Sequence, residues 1–336
     1  MKDTLAKKAV TQELIPLSEP EKWREALQGI KHAFGHTWES TYAMHLTTNF
    51  PTYLYVLRAG KVKIVCPLAQ RSFNNYIDIV TPYGFSGFAG NHDFPEFPDY
   101  WHQFTQEQGY VSGYIGLNPL LENNTYYPAA DVYEHNTLYV LNLQVSMAEL
   151  FRQLSQNRKR QLKNFSAHEQ HFTTDKLLLK DFYLAQHQQF FAEKKAASVY
   201  NFSLETLSYL LDLENVILVG YLENGQVKAV SVFAYTNFAG EYLFNVSLPG
   251  AQEQTAALLW YGITLLKAKE VAYLNLGGGA QPGDSIAQFK QRFGASAYPL
   301  KALKQFYNSS VYAQLCQFAQ VDPKNKSGYF PAYRQR

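Results

Sequence analysis

The sequence contains very little cysteine. Cys66 and Cys316 are the only two in 336 residues, and neither lies in a CxxC or Cys/His pattern. This usage indicates neither a disulfide framework nor a zinc site. We therefore expect both cysteines to be small apolar side chains of the core.

Long apolar segments are also absent. No stretch approaches the roughly 20 apolar residues that a transmembrane helix requires, and the opening segment MKDTLAKKAVTQELIPL lacks the apolar run of a signal peptide. These absences favour a cytoplasmic protein. A content of 46% hydrophobic and 17% charged residues is typical of globular proteins, and 336 residues allow two domains.

The common catalytic motifs are missing as well. The nine histidines form no HExxH, there is no GxSxG, and the triplet Gly277–Gly279 is not followed by the lysine of a phosphate-binding P-loop. Metal catalysis and serine hydrolase chemistry are therefore disfavoured, and we assign no metal ligands. A net charge of +2 does not by itself indicate nucleic acid binding.

Aromatic residues, in contrast, are abundant at 15%, including 25 tyrosines. Tyrosine combines an apolar face with a hydroxyl group. The composition therefore fits a groove for an extended polar ligand and fits an aromatic-rich core equally well.

Two segments half a chain apart resemble each other. VLRAGKVKIVCPL (56–68) and YLENGQVKAVSVF (221–233) both alternate apolar and polar residues around a glycine-containing turn, which predicts a β-hairpin in each. At an offset of 165 residues the matched pairs are Leu57 with Leu222, Gly60 with Gly225, Val62 with Val227, Lys63 with Lys228 and Val65 with Val230. This repeat indicates that one fold occurs twice.

Each hairpin is followed by a predicted strand, helix and strand. A helix between two strands favours parallel neighbours, whereas the hairpins require antiparallel ones. We therefore predict an α/β fold with mixed sheets in two tandem domains related by internal duplication. The predicted bounds are 1–143 and 144–310, followed by a tail, 311–336, that is either packed by its aromatic residues or loose.

A helix is predicted to begin at Ser146, where Ser146 and Glu149 form a capping box. Its apolar residues recur at helical spacing as far as Leu162 and Phe165. The same segment carries basic residues, namely Arg152, Arg158, Lys159, Arg160 and Lys163. They form either a solvated helix face or a clamp for the phosphates of a substrate.

The segment LNLGGGAQPGDSIAQFKQRFG (274–294) places three glycines at the end of an apolar strand. Asp284 is predicted to begin a helix whose apolar stripe is Ile286, Phe289 and Phe293. Lys290 is then expected at the rim of the cleft that the glycines open, where it stabilises an oxyanion or a phosphate; a surface lysine without a function is the alternative.

A second glycine-rich segment, DIVTPYGFSGFAG (78–90), follows a strand in the first half. Its glycines and Pro82 predict a loop that exposes Tyr83, Phe85 and Phe88, either as a substrate lip or as a plug at the interface between the two halves. Tyr83 and Tyr200 are candidates to hydrogen-bond a substrate, and aromatic packing is an equal alternative for each.

Five segments, in order, resemble the Fem-type branch of the GNAT acyltransferase superfamily, whose members contain two tandem GNAT-like domains. They are VTPYGFSG, LSQNRKRQLKNFSAHEQ, ASVYNFS, VGYLENGQVKAVSVFAYTNFAGEYLFNVS and LNLGGGAQPGDSIAQFKQRFG, within residues 38–300. The last segment, with its Asp-x-x-x-x-Phe-Lys-x-x-Phe pattern, is the most specific.

The resemblance implies transfer of an aminoacyl or acyl group to an amine of a cell-envelope precursor, a peptidoglycan peptide or an amino sugar. No tightly bound cofactor is expected. The donor substrate would be aminoacyl-tRNA or acyl-CoA, and the acceptor a cell-envelope precursor or a sugar nucleotide. Lys290 would stabilise the oxyanion or the leaving group, Asp284 could accept the amine proton or cap its helix, and Arg158, Lys159 and Arg160 would contact phosphates.

The sequence departs from the family in two respects. It contains no long heptad segment for a helical arm, and it lacks the Q/R-x-x-G-x-G/A signature with which GNAT proteins bind pyrophosphate. Two alternatives therefore stay open. One is a catalytically silent double-GNAT protein that binds a nucleotide sugar or a peptide, and the other is an acyl-CoA-dependent N-acetyltransferase.

Overall fold

The structure is a computed structural model that describes residues 10–163, 165–193, 201–281 and 283–335. The strands, in chain order, are β1 (Val10–Pro16), β2 (Thr52–Ala59), β3 (Val62–Phe73), β4 (Tyr76–Val80), β5 (Ala89–Gly90), β6 (Tyr110–Gly116), β7 (Val132–Asn142), β8 (Phe172–Thr173), β9 (Val216–Glu223), β10 (Gln226–Tyr235), β11 (Ala239–Ser247), β12 (Tyr273–Gly278) and β13 (Ser296–Phe306). The α-helices are α1 (Pro20–Leu27), α2 (Trp38–Thr48), α3 (Phe97–Glu107), α4 (Met147–Gln153), α5 (Gln156–Leu162), α6 (Lys176–Glu193), α7 (Leu204–Asp212), α8 (Thr255–Ala268), α9 (Ser285–Gln291) and α10 (Ser309–Phe318). None of the described helices is long and apolar enough to cross a membrane.

The chain divides into two compact units. Unit 1 comprises Met1–Glu134 and Lys301–Arg336, and unit 2 comprises His135–Leu300. Unit 1 has the strand order β1-β2-β3-β4-β6-β13, with β5 beside β3, and unit 2 has the order β8-β9-β10-β11-β12-β7. In each unit the fourth and fifth strands of this order are parallel and the other pairs are antiparallel. The two units therefore repeat one topology.

In each unit the last strand of the sheet comes from the part of the chain that was predicted to belong to the other domain. Residues 302–306 of β13 pair with 112–116 of β6 in unit 1, and residues 138–142 of β7 pair with β12 in unit 2. The predicted bounds at 143 and 310 therefore differ from the compact units, because these two backbone ladders join distant parts of the sequence.

The two predicted hairpins form as expected. Ala59 pairs with Val62 and Glu223 with Gln226, so each turn has two residues. In the second turn Asn224 and Gly225 both have positive φ, at 51° and 74°, which is the type I′ geometry that suits the twist of paired strands.

The core of unit 2 lies between its sheet and α8. The helix buries Leu258, Leu259, Ile263 and Leu266, and it approaches the sheet closely at Gly262. A Cβ built on Gly262 would lie 2.2 Å from the Phe233 ring, so glycine is required at this contact. Both cysteines are buried and free, as predicted.

The segment predicted as one helix from Ser146 forms two helices. The Ser146 hydroxyl accepts the Glu149 N–H, but the Glu149 carboxylate binds Arg152 and Gln153 instead of completing a capping box. The backbone is extended at Leu154, and the Ser155 hydroxyl caps α5 by accepting the Arg158 N–H. A serine that competes for backbone donors thus interrupts the helical pattern.

The C-terminal segment is packed, which was one of the two alternatives for the tail. Tyr312 of α10, Phe330 and Tyr333 belong to one buried cluster of unit 1. Arg334 and Tyr333 both donate to the carboxylate of Asp78, a buried residue of β4.

Candidate functional site

In unit 2 the parallel strands β11 and β12 separate partway along their length. They are paired only at residues 239–241 and 273–275, and Glu241 opposite Asn275 is the last pair. Beyond it, β11 continues to pair with β10 and β12 with β7. In unit 1 the corresponding strand β4 stays paired with β6 to its last residue, Val80. Only unit 2 therefore has an opening of this kind among the described strands.

The glycine triplet forms the end of β12 on one side of this opening. Asn275 pairs with Val140 and Gly278 with Leu138, so β12 carries one extra residue and forms a bulge. Gly277 has φ +75°, which glycine adopts without strain. A Cβ on Gly278 would lie 2.8 Å from the Thr137 carbonyl oxygen. Glycine is thus needed here for both conformation and space.

Asp284 begins α9 and fixes the loop that precedes it. Its carboxylate accepts the backbone N–H groups of Ala287 at 2.8 Å, Ala280 at 2.7 Å and Gln281 at 3.0 Å. These bonds, the one from Ala287 foremost, lower the pKa of Asp284. A carboxylate with a low pKa and occupied lone pairs is a weak proton acceptor, so the geometry favours the capping alternative over the role of a base.

Lys290 is buried rather than at the rim of a cleft. Its side chain is 8% exposed, and Nζ donates to the Gly278 carbonyl oxygen at 2.5 Å. A Cβ on Gly277 would lie 3.2 Å from Nζ, so the lysine and the glycines fit each other. Burial lowers the pKa of Lys290 to about 8, and the charge of Asp284 opposes this shift.

The predicted apolar stripe of α9 is therefore partly wrong. Ile286 is 48% exposed, whereas Ala287, Lys290 and Phe293 are buried. The helix turns its Ala287–Lys290 side inward because Nζ reaches the Gly278 carbonyl, and a lysine stem can line an apolar surface while its amine finds an acceptor.

Arg158 of α5 is also buried and packs against α9. Its guanidinium carbon lies 4.7 Å from the centre of the Phe289 ring and 4.6 Å from that of Phe293. Nη1 donates to Gln161 at 2.5 Å, and Nε has no hydrogen-bond partner. Burial, and secondarily the charge of Arg292, lowers the pKa of Arg158 to about 10. No carboxylate pairs with it in the part of the chain that the structure describes.

The rest of the basic run behaves as a solvated face. Arg160 is exposed and donates to Asn157 in its own helix, Lys163 is exposed and Lys159 is half-buried. Arg158 points inward while its neighbours face solvent, and the phosphate clamp stays a prediction.

The structure describes only one of the two tyrosine candidates. Tyr83 is half-buried in the loop after β4 of unit 1, and Tyr200 lies outside the described residues. In the same loop Phe85 is half-buried, but Phe88 is only 4% exposed and packs against Phe97. The prediction that Phe88 is exposed was wrong, because it completes the core of unit 1.

Two asparagines hold the glycine loop and were not singled out from the sequence. The side-chain oxygen Oδ1 of Asn275 accepts the Gly277 N–H at 2.8 Å, and Nδ2 of Asn136 donates to the Gly279 carbonyl oxygen at 3.0 Å. Asn275 could have been found, because asparagine commonly bonds the backbone two residues on. Asn136 could not, because its strand pairs with β12 only in the folded chain.

The cluster comprises the three glycines, Asp284, Lys290 and Arg158, gathered by the junction of β12 with α9. A buried amine with a pKa near neutrality stabilises negative charge while protonated and accepts a proton when neutral. The guanidinium group of Arg158, which is stacked on aromatic rings and has no carboxylate partner among the described residues, is suited to an anion. The arrangement can therefore stabilise charge and bind an anionic group without a covalent nucleophile.

Comparison with protein-family models and with curated proteins gives no match for this sequence. Solved structures do match. The fold is similar to that of FemX, with a TM-score of 0.65 and 10% identity over 90% of this chain and 99% of that chain. It is also similar to L-PGS from Bacillus licheniformis, with a TM-score of 0.55 and 12% identity over 91% and 98% of the respective chains.

A third similar structure is the C-terminal domain of a putative lysylphosphatidylglycerol synthetase from Agrobacterium fabrum. The TM-score is 0.55 at 12% identity, over 92% of this chain and 98% of that chain. At these identities the similarity concerns the fold. The predicted α/β fold with mixed sheets, in two units that repeat one topology, is confirmed.

Proposed function

We propose that this chain is an N-acyltransferase of the Fem type that transfers an aminoacyl or acyl group to an amine of a cell-envelope precursor. The observation that carries the proposal is the position of Lys290 in unit 2. A buried amine is bonded to the Gly278 carbonyl at the end of β12, beyond the point where β11 and β12 part. The fold shared with FemX supports the same reading.

The chemistry needs few groups because the donor is already activated. The neutral amine nitrogen of the acceptor attacks the carbonyl carbon of an ester or thioester, and a C–N bond forms. The C–O or C–S bond to the leaving group then breaks, and the amine proton passes to the leaving group or to water. Negative charge develops on the carbonyl oxygen and then on the leaving atom, where a fixed cation lowers the barrier.

In this proposal Lys290 supplies that cation. Its Nζ retains hydrogens beyond the one that it donates to Gly278, and its burial excludes water that would screen the charge. Asp284 has the supporting role of fixing the loop and favouring the protonated lysine. Arg158 would bind a phosphate of the donor or acceptor, helped by Lys159 and Arg160 at the surface, and Tyr83 and Tyr200 stay candidates for substrate contacts.

The donor in the proposal is aminoacyl-tRNA or acyl-CoA, and the acceptor is a peptidoglycan peptide precursor or a sugar nucleotide. A mass-spectrometric screen of both donor classes against both acceptor classes tests this directly. Mass gain on an acceptor amine is the expected result. Transfer from neither donor class would overturn the proposal in favour of a double-GNAT protein that only binds its ligand.

Lys290→Ala then tests the assigned role. We expect kcat to fall by roughly 100-fold or more, as on removal of an oxyanion-stabilising group. Lys267→Ala is the matched control, because Lys267 also donates to a backbone carbonyl, that of Leu143 at 2.8 Å. Equal activity of the two variants would contradict the role given to Lys290.

A further inference from the structure

Asn275 occupies the last paired position before β11 and β12 separate. Its register partner is Glu241, and each of the two side chains is 3% exposed. Leu274 and Leu276, on either side of it, belong to the core cluster that includes α8. Because side chains alternate along a strand, Asn275 points to the opposite face of the sheet, where the opening begins.

In the Asn275 side chain the amide oxygen has a hydrogen-bond partner, whereas the amide nitrogen has none among the described residues. Oδ1 accepts the Gly277 N–H at 2.8 Å, which draws the amide along the strand toward the separated ends and fixes which atom is nitrogen. Nδ2 finds no hydrogen-bond acceptor in the part of the chain that the structure describes. On a side chain that is only 3% exposed, this N–H is left available for a ligand.

We propose that Asn275 is a substrate-contacting residue whose Nδ2 donates a hydrogen bond to the carbonyl oxygen of the acyl group being transferred. This inference rests on the proposed function. The amide is neutral, and its position is fixed by the paired strand and by the hydrogen bond from the Gly277 N–H. It therefore needs no reorganisation when charge develops on that carbonyl oxygen. It acts with Lys290, the two groups being attached to the same glycine segment through Gly277 and Gly278.

The chemistry also predicts the kinetic signature. A hydrogen-bond donor aimed at an atom that becomes negative in the transition state contributes more to kcat than to the binding of the acyl donor substrate. Loss of Nδ2 should therefore lower kcat while the KM of the acyl donor stays nearly constant. A purely structural asparagine would instead act through the Gly277 backbone and lower stability.

Two substitutions separate these roles. Asn275→Asp is isosteric and keeps an acceptor for the Gly277 N–H, but it replaces the donor with an oxygen. Asn275→Ser is uncharged and keeps a weaker acceptor for the backbone N–H two residues on. Its side chain is too short to reach the position that Nδ2 occupies. Asn275→Ser thus covers the case in which a second carboxylate beside Glu241 prevents Asn275→Asp from folding.

Asn142→Asp is the matched control. Asn142 is exposed, lies on β7 and accepts the Gln144 N–H at 2.9 Å through the same local geometry. The three variants and the unsubstituted protein are compared in the donor and acceptor pair that gives transfer, with thermal unfolding measured alongside. We expect kcat to fall roughly 100-fold in Asn275→Asp and Asn275→Ser and to be unchanged in Asn142→Asp.

The possible results are distinct. Normal kcat in a folded Asn275→Ser or Asn275→Asp variant would overturn the contact and leave the proposed function intact. A loss of kcat that follows the loss of folded protein in both variants would overturn it in favour of a structural role. Absence of transfer by the unsubstituted protein would overturn the proposed function, and with it this contact.

Discussion

The guanidinium carbon of Arg158 lies 4.7 Å from the centre of the Phe289 ring, which joins the basic helix α5 to α9, the helix that carries Lys290. A second ring, that of Phe293 just after α9, lies 4.6 Å away. Stacking keeps the guanidinium edges available for hydrogen bonds while its face is covered. The cation is thus oriented by apolar packing and not by a carboxylate.

This packing predicts opposite effects of Arg158→Met on stability and on substrate affinity. Methionine fills the apolar space without a buried charge, so we expect the melting temperature to stay the same or rise. The KM of the anionic substrate should rise by roughly 10- to 100-fold, since a charge-assisted hydrogen bond contributes about 1.5–3 kcal/mol.

Arg160→Met is the control for Arg158→Met, because Arg160 is exposed and, among the described residues, donates to Asn157 of its own helix. Steady-state kinetics and thermal unfolding of both variants provide the measurement. A clear loss of stability in Arg158→Met with an unchanged KM would mean that Arg158 serves packing alone.

Lys290 predicts a pH dependence of stability. Its pKa is about 8 in the folded protein against an ordinary value of 10.5, so between these values the unfolded chain binds more protons than the folded one. Stability then rises with pH across this window. We expect the free energy of unfolding of the unsubstituted protein, minus that of Lys290→Met, to increase from pH 8 to pH 10.5.

Urea unfolding of Lys290→Met and of the unsubstituted protein at half-unit pH steps measures this difference. Lys267→Met, which removes a lysine that is only half-buried, is the control for the loss of a lysine as such. A difference for Lys290→Met that does not change with pH would show that Lys290 keeps its ordinary pKa on folding.

Individual elements show how much of the fold and of the candidate site the sequence predicts. The hairpin at Asn224 and Gly225 was predicted because turn chemistry is local. The pairing of β7 with β12 and of β13 with β6 was not, because each of these ladders joins segments that are far apart in the sequence. The burial of Lys290 was missed for a similar reason: its acceptor, the Gly278 carbonyl, is made available by a bulge that no residue pattern specifies.

Substitution of Gly277 should affect activity beyond its effect on stability. In Gly277→Ala the new methyl group meets a backbone with φ +75° and lies 3.2 Å from Lys290 Nζ. Gly225→Ala has the same left-handed strain, at φ +74°, in open space. We expect both variants to lose about 1–2 kcal/mol of stability, and only Gly277→Ala to lose activity, by roughly tenfold or more.

The prediction is tested by measuring the free energy of unfolding and kcat of both glycine variants. If Gly225→Ala and Gly277→Ala lose stability equally and retain full activity, the amine of Lys290 does not need its present position. That result would also weaken the role proposed for Lys290.

The C-terminal segment of unit 1 predicts a large loss of stability on removal of one carboxylate. Asp78 is 1% exposed and accepts from Arg71 Nε at 2.7 Å, Arg334 Nε at 2.6 Å and the Tyr333 hydroxyl at 3.1 Å. Asp78→Ala leaves Arg71, itself 6% exposed, without its carboxylate. Because an uncompensated buried charge is costly, we expect a loss of about 3–5 kcal/mol.

Arg334→Ala should cost less than Asp78→Ala, since Arg71 and Asp78 remain paired when Arg334 is removed. Glu13→Ala, which breaks the exposed pair with Arg58, should cost at most about 1 kcal/mol. Limited proteolysis adds a local readout, because release of the C-terminal segment from Asp78 would expose the chain beyond α10. If Asp78→Ala and Glu13→Ala prove equally mild, the C-terminal segment is held by its aromatic contacts and the buried ion pairs contribute little.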